Sequence, residues 1–200
     1  MTTVNSGGYP VQLVFPESNK VANWRPLAHS AMAIPHLFIS GILSMLGQVV
    51  AFVSWVTILA TGKLPAGIAD FQVMTVRYSH RANMYMLGLT EDFPPFSFDT
   101  VATDPGDHSV QLSIQPQLED RNRLTVFFRM LMAFPLLIVG SLIFVAVSFV
   151  YFIAWFAVLF TGTYPNGMRN FVIGSMRYQV RMNAYMLLLT DEYPPFNLDA

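Results

Sequence analysis

From Pro26 through Gly62 the chain carries no Lys, Arg, Asp or Glu, and the same is true from Met130 through Met168. Uninterrupted runs well beyond about 18 apolar residues read as membrane segments. Composition agrees. Only 12% of the 200 residues are charged and 54% are hydrophobic, whereas a soluble domain carries about 25% charge. A water-soluble protein would have too little polar surface, so an integral membrane protein is expected. The N-terminus, MTTVNSGGYPVQLVFPESNK, has no basic start followed by an apolar stretch and a small-residue cleavage site. The first membrane segment is therefore expected to direct insertion itself.

The two runs belong to a tandem repeat. A shift of 100 positions pairs Pro35 with Pro135, Trp55 with Trp155, Thr61-Gly62 with Thr161-Gly162, Pro65 with Pro165 and Phe71 with Phe171. The pairing continues through Arg77-Tyr78, Arg81, Asn83, Tyr85-Met86, Leu89-Thr90, Pro94-Pro95-Phe96 and Asp99. Upstream the register slips by one, matching Val11-Gln12-Leu13 with Val110-Gln111-Leu112. The domains are accordingly 9–99 and 108–200, joined by a polar Pro/Gly linker, TVATDPGD, at 100–107.

Each repeat opens with a period-two stretch, YPVQLVF or HSVQLSIQ, which predicts a short strand. The apolar run follows and ends at Gly62 or Gly162, placed as helix C-caps, with Pro65 and Pro165 beyond them to prevent continuation. A second helix is expected from Gly67 or Gly167 to the paired prolines, and then an extended FPPFSFD or YPPFNLD. As single helices the runs would span roughly 55 Å, against a hydrocarbon core of about 30 Å. Basic residues flank both ends of each run, Arg25 and Lys63 in one, Arg129 and Arg169 in the other. A helical hairpin in each repeat, turning near Gly47-Gln48 in the first, fits both facts and places the N-terminus, linker and C-terminus in the cytoplasm. The alternative is one long tilted helix returning through the second helix. It would carry Arg77 and Arg81 to membrane depth, at about 2.5 to 3.5 kcal/mol each. The fold class expected is thus an all-α membrane protein of two tandem repeats and four membrane segments, with interfacial helices and short cytoplasmic strands.

On the second helix Phe71, Tyr78, Ala82, Tyr85 and Leu89 form one stripe with Arg77 and Arg81 beside it. The second repeat copies it with Tyr178, Tyr185, Arg177 and Arg181. Arginines one turn apart can snorkel to headgroups while tyrosines seat at the interface. These eight residues are the candidate contacts for lipid or a partner. The acidic pairs Glu91-Asp92 and Asp191-Glu192 are candidate partners for the same arginines, or for Lys63 and Arg169. PPFSFD is a candidate neighbour of the VQLVF strand, with Leu13 near Phe98. Trp55 and Trp155 suit an interfacial belt.

The combination TG-x-x-P-x-G, RY-x-x-R and PPF, seen in AWFAVLFTGTYPNGMRNF and RYQVRMNAYMLLLTDEYPPF and again with IPHLF and FPLLI, resembles the bacterial membrane proteins of the DUF4389 family. The resemblance extends over both halves as a tandem pair. It implies membrane location and architecture, in the bacterial cytoplasmic membrane, and carries over no catalytic residues.

Little chemistry is visible besides. With no Cys there are no disulfides, thiolate metal sites or thiol nucleophiles. No nucleophile elbow, phosphate loop or zincin pattern occurs. His29 and His36 share a helix face seven apart, but a metal needs further ligands and the second repeat has Arg129 and Leu136 there. A net charge of -1 without a basic patch recommends no nucleic-acid partner. No acid lies within either apolar run, which argues against an ion-coupled pump. The expected function is a non-enzymatic accessory or scaffold subunit of a larger membrane complex, without cofactor, in contact with lipids and with a membrane protein or a second copy of itself. The alternative is a lipid-binding or small-solute transport module.

Overall fold

Each apolar run folds as one unbroken helix. In the computed structural model, which describes residues 2–4 by backbone and 9–198 in full, α1 covers Arg25–Thr61 and α4 covers Arg129–Thr161. Asp199, the repeat counterpart of Asp99, lies outside the described residues. Pro35 and Pro135 sit inside these helices without ending them. The reason α1 does not turn midway is its buried stripe, which runs from His29 through His36, Leu43, Gly47 and Ser54 to Ile58. That spacing is one helix face, and a turn at Gly47-Gln48 would break it. Gly47 instead admits α2 closely, since a Cβ there would stand 3.4 Å from Thr75 Cγ2. The expected hairpins are therefore not formed.

The runs stop where the glycines sit. Gly62 and Gly162 take left-handed φ values of 74° and 65° and return their N–H groups to Ile58 and Val158. Pro65 and Pro165 then precede α2 (Ala66–Met86) and α5 (Asn166–Met186). These run back along the long helix of their own repeat: Tyr78 meets His36 and Tyr85 meets His29. Among the described residues only α1 and α4 are long and apolar enough to cross a membrane. The expectation of four membrane segments is corrected accordingly. α2 and α5 carry several arginines along their length and are largely enclosed by protein.

A three-stranded antiparallel sheet, in the order β1 (Thr2–Val4), β2 (Val11–Phe15), β3 (Gln111–Ile114), completes the molecule. β2 and β3 are the equivalent strands of the two repeats, and Leu13 opposes Leu112. PPFSFD does not pair with β2, contrary to the sequence expectation. It crosses α1 and α2 instead, with Phe96 stacked on His36 at 4.2 Å and Phe98 on Tyr78 at 5.3 Å. A short α3 (Arg123–Phe127), capped by the Asn122 side chain, leads into α4.

Matching hydrogen bonds lock the repeats together. Val21 N donates to Gly162 O and Arg121 N to Gly62 O; Tyr164 N donates to Asn19 O and Leu64 N to Leu118 O. The Trp155 indole donates to Pro26 O at 3.1 Å and the Trp55 indole to Val126 O at 3.0 Å. The two tryptophans are thus staples between repeats. Layers result: α2 and α5 lie between the long helices, which their tyrosines touch, and the sheet, which their arginines touch.

Candidate functional site

The repeated arginines and tyrosines of α2 and α5 are where the site was expected. The structure buries all of them but Arg177, which is half-buried. Arg77 and Arg81 are each 4% exposed and point toward β3, donating through Nε to the carbonyls of Leu112 and Val110 at 3.2 and 3.1 Å. Chain 100–107, read from sequence as a linker, wraps over them as a strap. Arg77 Nη2 donates to Val101 O at 2.5 Å. Asp104, 3% exposed in its side chain, lies 3.5 Å from Arg77 and 2.9 Å from Arg81, and Asp107 lies 2.8 Å from Arg81. Asp104 also accepts from the N–H groups of Gly106 and Leu112. Burial lowers the Arg77 pKa, with Asp104 acting against it, and a guanidinium so held stays charged.

In the second repeat the same positions find different partners. Arg181 donates to Asn197 Oδ1 at 3.0 Å and to Asn197 O at 2.8 Å; burial lowers its pKa as well. Arg177 lies 5.0 Å over the Phe15 ring. Tyr178 donates to Leu136 O at 2.8 Å, where Tyr78 meets His36 Nδ1 at 2.9 Å. Tyr185 lies beneath the Arg129 guanidinium at 3.9 Å, where Tyr85 stacks on the His29 ring at 4.1 Å. His29 and His36 are thus ring partners of the tyrosines. Among the described residues no three His, Cys, Asp or Glu side chains come together as a metal-ligand set.

The acidic pairs after the second helix serve the start of the long helices, not Arg77, Arg81, Lys63 or Arg169. Glu91 meets Arg25 at 3.3 Å. Asp191 meets Arg121 at 2.7 Å and Arg129 at 2.6 Å, and accepts from Asn122 N. Burial pushes the Asp191 carboxyl up, but the Arg121 and Asn122 hydrogen bonds and the two positive charges outweigh it and hold it below the usual range. Lys63 pairs at the surface with Glu119, and Arg169 donates to Pro16 O. Sequence reasoning missed Asp104, Arg121 and Arg129 as members of these clusters. The legible signal was two carboxylates within a short Pro/Gly segment, close in sequence to a strand.

Two further features lie outside these clusters. His80, fully enclosed on α2, makes one hydrogen bond to Val76 O at 2.9 Å, and burial lowers its pKa to about 4. A half-open pocket of about 140 Å³ lies between α1, α2 and α5, lined by Ser44, Gln48, Thr75, Ser79 and Asn183. It has room for a few waters or a small polar solute. Neither feature joins a nucleophile to a base.

The geometry defines a pseudo-symmetric pair of helical units, each one long apolar helix with one polar-cored companion, closed by a shared sheet. The sequence profile of the DUF4389 family, a domain of unknown function, matches residues 27–97 and 123–197, and the chain belongs to that family as a tandem pair. No curated protein and no solved structure matches it.

Proposed function

We propose that this chain is a non-enzymatic integral membrane protein of the bacterial cytoplasmic membrane, its termini on the cytoplasmic side, acting as an accessory or scaffold subunit of a larger membrane assembly. The observation that carries this reading is how the two kinds of surface are spent. Large apolar side chains stand exposed along the full length of α1 and α4, from Leu27 to Val56 and from Met130 to Phe160. Patches of that extent mark membrane or protein contact. The charged clusters at Arg77, Arg121, Arg129 and Arg181 meanwhile end on structural partners within the chain. Lipids, and either a membrane protein or a second copy, are the partners this surface suits.

The polar pocket beside Ser44 and Gln48 favours one second reading, a lipid-binding or small-solute module. Native mass spectrometry of protein extracted gently from its own membrane separates the two. A stoichiometric protein partner is expected. A monomer carrying only a defined lipid or solute would overturn the scaffold reading in favour of the second.

A further inference from the structure

The staples between repeats fix how the long helices lie. Pro26 at the start of α1 accepts from Trp155 near the end of α4, and Val126, leading into α4, accepts from Trp55 near the end of α1. Start meets end on both sides. Leu13 and Leu112, equivalent in the two repeats, face each other in the sheet, so the axis relating the repeats passes between them. A two-fold rotation reverses directions perpendicular to its axis and preserves those along it. Two helices that it exchanges and that meet start-to-end at both ends must run perpendicular to that axis.

Only two seatings in a bilayer respect this. With the axis in the membrane plane, α1 and α4 cross in opposite directions. The Leu13–Leu112 pair then falls at mid-depth, bringing exposed Gln12 and the nearby Arg77, Arg81, Asp104 and Asp107 to the hydrocarbon centre. Polar and ionised groups at that depth are costly. Exposed Lys20 and Lys63 would sit on opposite sides. With the axis along the membrane normal, both helices lie in the plane. The layers then stack correctly, with long helices toward lipid and sheet toward water. Basic residues at the two ends, Lys20 and Arg25 at one and Lys63 and Arg123 at the other, share one headgroup level, suited to anionic lipid. A leaflet about 15 Å deep, half of the hydrocarbon core, accommodates a helix about 10–12 Å across. Side chains such as Phe38, Phe52, Phe134 and Phe149, all exposed, then meet acyl chains.

We infer that α1 and α4 form one lipid-docking surface that embeds in a single leaflet, both helices lying along the membrane, with sheet and strap on the water side. This rests on the membrane location proposed above and specifies it. Both copies of the duplicated motif then lie on the same side of the membrane.

The chain has no cysteine, so the single variants Gln12→Cys, Lys20→Cys and Lys63→Cys report without background. Each is treated with a membrane-impermeant maleimide in right-side-out and in inverted native vesicles. Reaction of all three from the same side is expected. Reaction of Lys20→Cys and Lys63→Cys from opposite sides would overturn the in-plane seating while leaving membrane residence intact. A chain that stays in the supernatant when membranes are sedimented would instead remove the membrane reading and this inference with it.

Discussion

The two repeats solve one packing problem with different side chains. Below Tyr85 the first repeat puts an imidazole, His29, and below Tyr185 the second puts a guanidinium, Arg129. Tyr78 faces a histidine nitrogen and Tyr178 a backbone carbonyl. Arg81 meets two strap carboxylates, and at the matching place Arg181 meets the Asn197 side chain and carbonyl. His80 on α2 is Val180 on α5, both buried. The shared geometry is thus set by the tyrosines and arginines of the second helix, and their partners are free to vary so long as each buried donor is met. The first repeat buries three histidines and relies on Asp104 for Arg77 and Arg81, and the second has its own carboxylate cluster, Asp191 with Arg121 and Arg129.

The largest difference between the repeats is expected at the strap. Asp104→Ala leaves Arg77 and Arg81 buried without their main counter-charge, at an expected cost of about 3–5 kcal/mol. Asn197→Ala, the second repeat's analogue, removes one hydrogen bond from an exposed side chain and costs about 1 kcal/mol. Denaturant unfolding in a fixed detergent checks both, and equal costs would contradict the asymmetry.

His80→Val imports the second repeat's solution. In the folded protein His80 protonates at about 4, whereas unfolded it does so near 6.5. The unfolded chain therefore binds the extra proton between those values. The stability that neutral His80 contributes is full above pH 6.5 and is lost as pH falls toward 4, by about 3 kcal/mol. The variant, compared with the parent at pH 7 and pH 4.5, is expected to lose distinctly less stability on acidification. An identical pH profile would contradict the enclosure of His80.

A smaller difference is expected at the tyrosines. Tyr78→Phe strands His36 Nδ1 in the interior and costs about 1–3 kcal/mol, whereas Tyr178→Phe gives up one bond to Leu136 O and costs about 1 kcal/mol or less. Melting temperatures of the two variants in the same detergent rank them.

Much of this architecture is legible in the chain. The repeat, the glycine stops at Gly62 and Gly162, the second helices and the short strands all follow from local patterns that act within a few residues. What is not legible depends on pairing at a distance. VQL occurs in both repeats, and pattern alone does not tell a strand that pairs within its repeat from one that pairs with its twin. An apolar run without Gly or Pro near its middle suits a long helix, yet a hairpin was expected because the run exceeds the bilayer thickness. That comparison assumes a helix standing upright. Arg77 and Arg81 resemble interfacial anchors until Asp104 and Asp107 are folded over them, and those carboxylates lie in a segment whose Pro and Gly mark it as a linker. The tryptophans suit an interface in residue type, but their N–H groups are spent on the partner repeat.

Lipid covering the exposed faces of α1 and α4 would reach the tryptophans on these helices. Of the three tryptophans, Trp55 and Trp155 belong to these helices, and Trp24→Phe leaves them as the only ones. Reconstitution of that variant into bilayers whose acyl chains carry bromine, a contact quencher of indole fluorescence, tests that coverage directly. Strong quenching relative to unbrominated bilayers of the same headgroup composition is expected. Fluorescence unchanged by the bromines would contradict lipid coverage of these faces.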